Sequence, residues 1–215
     1  MKIEIGTKRP EYFKKTWEGQ YEAFSHLEYV CGIPHILVAI TTTKENGKPN
    51  LCFHAWNCFQ GDGEGYFAYL VGISQGSHTY ANIERTGEFC VNFLSKQYYD
   101  RLIATIKNGA DDDEFALGDF TLEPASHVAA PRIKESFLTL ECKKEHVLSL
   151  SSIGTSNLII GRVVNVAVED EYSKGMDKKY GEDGFMLNIH SPKNVSTGEG
   201  EETGVATLKI ERVYQ

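Results

Sequence analysis

Ser77, His78 and Thr79 bring two hydroxyls and an imidazole together in the stretch Gly76-Ser77-His78-Thr79-Tyr80-Ala81-Asn82-Ile83. An apolar run over residues 66–73 precedes them and reads as a strand. Tyr80 and Ile83, three apart, then begin one face of a short helix. Gly76 can supply an unusual backbone angle at the turn, and Ser77 or Thr79 can cap the helix start. A helix start presents unpaired N–H groups and the positive end of a dipole, a setting for phosphate or carboxylate. The same residues also serve as an ordinary capped helix.

A second informative stretch is Asn50-Leu51-Cys52-Phe53-His54-Ala55-Trp56-Asn57-Cys58-Phe59. A half-buried strand accounts for Leu51, Phe53 and Phe59 but not for His54, Trp56 and Asn57 together. Trp56 could stack on a flat aromatic ligand while Asn57 or backbone amides meet ring oxygens and nitrogens. With a phosphate at the next helix, one molecule that fits both is flavin mononucleotide (FMN). A barrel holding haem, with His54 as axial ligand, or pyridoxal phosphate is a rival.

The elements that must position these residues follow from periodicity. Residues 34–43 form a β-branched strand, Asn46-Gly47 a turn, and residues 50–59 the paired strand of a hairpin. Residues 61–65 are a second turn, and residues 66–73 a third strand, apolar on both faces and therefore central. A helix over 78–86 ends at Gly87, and a fourth strand covers 88–94. A helix over 96–107 stops at Asn108-Gly109, and the acidic run 111–114 reads as a loop or the start of a short helix at 113–117. Long strands are expected over 137–150 and 157–169, then a loop or short helix over 172–183, a short strand over 185–189, a mobile Gly/Glu-rich stretch over 193–203 and a closing strand over 205–213. Residues 1–30 read as a short strand and then a wrapping aromatic segment. The expectation is one mainly β domain over 1–215, a small antiparallel Greek-key barrel with peripheral helices.

Bulk properties narrow the partners. The chain has 215 residues and a formal net charge of −8, which argues against nucleic acid or an anionic membrane. No membrane-length apolar run and no secretory signal are visible, so a cytoplasmic location is expected. The five cysteines include no Cys-x-x-Cys pair and the seven histidines no His-Glu-x-x-His, so no metal site is expected and core thiols are read as reduced.

The order of these pieces resembles the flavin reductase-like FMN-binding split-barrel family, in its flavoredoxin-type branch. Lys48-Pro49-Asn50, the stretch 76–83, Arg85-Thr86-Gly87-Glu88-Phe89-Cys90-Val91-Asn92, Pro131-Arg132-Ile133-Lys134-Glu135-Ser136, Leu140-Glu141-Cys142 and Leu158-Ile159-Ile160-Gly161-Arg162-Val163-Val164 carry it, from about residue 33 to about 169. The resemblance implies FMN with its ring on Ala55, Trp56, Asn57 and Cys58 and its phosphate on Ser77, His78 and Thr79, with Asn82 steadying the loop. It also implies NAD(P)H as co-substrate, a homodimer with FMN near the subunit interface, and oxidoreductase activity with no catalytic side chain. A redox partner protein would fit a flavoredoxin-like electron carrier. The chain departs from the family pattern at Ala55, often Ser; at residues 59–65, where a Ser-x-Asp-Pro-Pro loop is usual; at His78, commonly basic; and at Ser156, where many members carry His.

Overall fold

The structure is a computed structural model that describes residues 1–106, 109–175, 178–189, 194, 197, 199–200 and 204–211. Its strands are β1 (His35–Ile36), β2 (Val38–Thr43), β3 (Pro49–His54), β4 (Asn57–Asp62), β5 (Gly65–Val71), β6 (Glu88–Phe93), β7 (Leu122–Glu123), β8 (Arg132–Ile133), β9 (Leu138–Ser149), β10 (Asn157–Val168), β11 (Met186–Ile189) and β12 (Gly204–Thr207). The α-helices are α1 (Gln20–Ala23), α2 (His26–Cys31), α3 (His78–Thr86), α4 (Tyr99–Ala104), α5 (Glu114–Leu117) and α6 (Asp170–Ser173), with one 3-10 turn at Lys96–Tyr98.

Seven strands form one antiparallel sheet in the order β3-β2-β6-β9-β10-β5-β4. Its two outermost strands, β3 and β4, are consecutive in the chain and joined only by Ala55 and Trp56. Laid flat, seven strands would hold those edges roughly 29 Å apart, while three peptide steps reach about 11 Å. The sheet therefore curls until its edges meet, which makes it a split barrel. The strands neighbour one another out of chain order, β6 beside β2 and β10 beside β5, as a Greek key requires. Smaller sheets, β1-β11-β12 and β7-β8, lie outside it.

The core follows the side-chain alternation. Val38 and Ile40 join Ala68, Leu70, Phe89, Val91, Leu140 and Ile159 in one cluster. Ala39, on the opposite face of β2, joins Leu51, Ala55, Leu102, Phe115 and Ile133 in another. The strands buried on both faces are thus β2 and β6. The expectation that residues 66–73 are buried on both faces is corrected: β5 buries Ala68 and Leu70 on one face, while Phe67, Tyr69 and Val71 on the other are only half-buried. The physical reason is cover, since α3 packs on β2, β3 and β6, and α5 packs on β3.

Other expectations shift by a few residues. Gly61 and Asp62 belong to β4, so the turn shrinks to residues 63–64. The expected helix over 96–107 is a 3-10 turn running into α4, and Lys107 and Asn108 lie outside the described residues. No strand forms in residues 1–30. Trp17 is buried there, His26 Nε2 sits 2.9 Å from the Gly6 carbonyl, and Phe24 packs against Trp56. Most of 193–203, and residues 212–213 of the expected closing strand, lie outside the described residues.

Candidate functional site

Helix α3 starts as its sequence requires. Ser77 is the N-cap; its Oγ accepts from Tyr80 N at 3.1 Å and donates to the Ser74 carbonyl at 2.7 Å. That hydroxyl is therefore consumed by the turn and has no hydrogen left for a ligand. Gly87 closes the helix with φ 70°, in the left-handed region that favours glycine. Gly76, which could supply an unusual angle at the turn, is not among the positive-φ glycines. Its contribution is space: a Cβ there would meet only Ser74 Oγ, at 3.8 Å.

Beside this helix start lies a cleft of about 270 Å³, lined by Asn50, Leu51, Cys52 and Phe53 of β3, by residues 76–79, and by Thr105 and Ile106 after α4. The first-turn N–H groups of His78 and Thr79 have no intrahelical acceptor, and the helix dipole adds positive potential there. Thr79 is 2% exposed, and its Oγ1 accepts from Asn50 Nδ2 at 3.1 Å. Burial pushes the Cys52 thiol up to about 11, with a Thr79 side-chain hydrogen bond opposing. Near neutral pH it is a neutral thiol rather than a nucleophile. Asn82 stands behind the cleft and donates to Thr42 Oγ1 at 3.0 Å, tying α3 to β2. His78 forms the lip between this cleft and a second one of about 420 Å³.

Ala55, Trp56, Asn57 and Cys58 lie beyond Phe53, at the barrel seam, and are not among the residues lining either cleft. The expected single strand over 50–59 is broken there, because the chain leaves one edge of the sheet and joins the other. Ala55 is core. Trp56 lies between Phe24, ring centroids 5.8 Å apart, and Gly72, where a Cβ would come within 3.5 Å of the indole. Asn57 Nδ2 donates to the carbonyls of Ile36 and Ala55, while its buried Oδ1 has no hydrogen-bond partner among the described residues. Cys58 is exposed on β4. His54 Nε2 lies 2.8 Å from the Trp56 carbonyl, which also accepts from Val71 N, so the ring staples the seam and is not presented as an axial ligand.

The structure thus groups Ser77, His78 and Thr79 as the sequence suggests and adds residues 50–53, Thr105 and Ile106. A polar Asn50 at the start of the apolar run Leu51-Cys52-Phe53 was the available signal; nothing in the local pattern marks Thr105 or Ile106.

Comparison with known proteins adds an independent line. An uncharacterized protein of Methanothermobacter thermautotrophicus is 29% identical over 141 residues, covering 65% of this chain and 66% of that protein. The solved nitrilotriacetate monooxygenase component B of Bacillus cereus superposes with TM-score 0.73 at 17% identity, covering 99% of this chain and 100% of the other. Flavoredoxin from Methanosarcina acetivorans gives 0.71 at 18% identity, covering 100% and 95%. At those identities the solved structures speak for the fold alone. The profile described as Flavin reductase like domain matches residues 32–184, most of the length of the chain and all seven barrel strands. With the edges of its sheet joined through two residues and that match laid over them, this chain belongs to the flavin reductase like domain family.

Proposed function

We propose that the chain binds FMN and passes electrons between NAD(P)H, the bound flavin and an acceptor. Its family already sets the function in flavin-linked oxidation and reduction. The observation that carries the finer reading is the helix start beside β3: two first-turn N–H groups without an intrahelical acceptor, a glycine that leaves room, and a wall fixed by the Asn50–Thr79 hydrogen bond. This donor set suits a phosphate monoester. His78 and Thr79 would hold it, with Ser77 shaping the turn and Asn82 bracing the helix. The ring would lie along β3 toward Ala55, Trp56, Asn57 and Cys58. When bound, flavin accepts a hydride and returns electrons singly or in pairs, so the protein's part is binding, orientation and exclusion of water. A homodimer is part of this proposal.

The test is titration of the purified chain with FMN, followed by the visible spectrum and the quenching of flavin fluorescence. Saturable uptake supports the reading, and a chain that stays colourless overturns it. The second reading, an electron carrier without its own hydride donor, draws on Ser156 standing where many family members carry His. Rapid mixing of the loaded protein with NADH or NADPH separates the two. Bleaching of the flavin band marks the reductase, and an unchanged band marks the carrier.

A further inference from the structure

Residues 1–32 form a strap organised within itself. Phe24 N bonds to the Gln20 carbonyl and Gly32 N to the Glu28 carbonyl, each at 2.9 Å, and the His26 ring reaches Gly6. Its rings meet one another: Phe13 against His26, Tyr21 against Tyr29, and Trp17 against Phe24. Phe24 then carries the strap onto Trp56 at the barrel seam. We propose that the strap is a gate: Phe24 holds the face of Trp56 on which a flavin ring would stack, so that flavin uptake and release of the strap are one equilibrium. This rests on the reading that the flavin ring lies toward Trp56.

Geometry is the first argument. The Phe24 and Trp56 ring centroids are 5.8 Å apart with planes 31° from parallel, within the range of an attractive aromatic pair. Gly72 and the His54 ring close the indole elsewhere: a Cβ on Gly72 would come within 3.5 Å of it, and the imidazole centroid is 6.0 Å away. A planar ligand therefore reaches the indole by taking the place of Phe24. A flavin that binds the open form alone has its apparent affinity lowered in proportion to the closed fraction.

The second argument is what the closed position costs. Trp17 is 9% exposed, yet its Nε1 meets no acceptor among the described residues. Glu28 Oε2 is likewise buried and meets no donor among them. Burial accordingly pushes the Glu28 pKa up. A buried polar atom without a partner carries a desolvation cost that water repays once the segment lifts away. Aromatic contact thus holds the strap down while two unpaired atoms oppose it, a balance that a two-position segment needs.

Two measurements on the full chain test the gate. Phe24 belongs to none of the barrel's core clusters, so Phe24→Ala leaves the barrel intact. That variant should bind FMN about three- to tenfold more tightly, the share that one aromatic pair contributes to an equilibrium. In hydrogen exchange, the Phe24 and Gly32 amides of the parent should exchange faster than those of β6 and β9, and faster again once FMN is added. Helices as short as α1 and α2 do not persist once undocked. Unchanged FMN affinity in the variant would overturn the proposal, and weaker affinity would do so by making Phe24 a wall of the flavin site. Strap amides that FMN protects, or that exchange as slowly as the barrel, would overturn it too. If parent and variant alike take up no FMN, the flavin reading fails instead, and exchange in that flavin-free chain still decides whether the strap opens apart from the barrel.

Discussion

His54 shows how one side chain can hold the barrel shut and set its acid limit. It is 7% exposed, and burial lowers its pKa from 6.5 to about 4, against hydrogen bonds to the Trp56 and Val71 backbone that favour the charged form. The unfolded chain therefore takes up a proton at this residue well before the folded one does. Stability from this source is complete above about pH 6.5 and is lost as pH falls to about 4, by roughly 3 kcal/mol. Urea unfolding at pH 7 and pH 4.5 should show this loss, and His54→Gln should flatten the slope over that window. An identical slope in the variant would assign the acid sensitivity elsewhere. Glu141 behaves oppositely. Burial pushes its pKa up, but hydrogen bonds from Ser126 N, Asn165 and His127 N and the Arg132 charge outweigh that and hold it below the usual value. The charged carboxylate therefore anchors the loop before β8.

At the scale of elements, α3 owes its start to one hydroxyl. Ser77→Ala should cost about 1 kcal/mol, and Ser77→Gly only a few tenths. Thermal unfolding reads the difference. Because the Ser77 hydroxyl proton goes to Ser74, the alanine variant should weaken FMN binding through a looser turn rather than a missing donor. The glycine variant should then retain affinity. Much of this element was legible: the cap, the 78–86 span and the terminal Gly87 are local properties written in residue type. The break in the strand over 50–59 was not. Residues 55–56 have strand-like chemistry on either side, and only the meeting of two sheet edges forces the chain to cross there.

The whole molecule is tied together by long-range polar pairs as well as by its core. Lys44, at the end of β2, and Glu114, at the start of α5, are 70 positions apart and form a 2.8 Å ion pair with side-chain exposures of 6% and 0%. Among the described residues Glu114 Oε2 has no hydrogen-bond partner, and Lys44 is the cation that pairs with the glutamate. Lys44→Met should cost about 3–5 kcal/mol by leaving a buried carboxylate unpaired, while Lys44→Met with Glu114→Leu should recover most of it. Denaturant midpoints of the three proteins check this. A double variant as unstable as the single one would show that the site depends on shape rather than on charge balance.

The residue order alone carried the barrel's strands, the capped helix and the family, because alternation, turn residues and caps act over a few positions. Tertiary structure decided which strands are buried on both sides, that Asn50 and Cys52 rather than residues 55–58 wall the cleft, and that the Ser77 hydroxyl is already occupied. These depend on which surfaces meet across dozens of residues, and a local pattern holds no record of that distance.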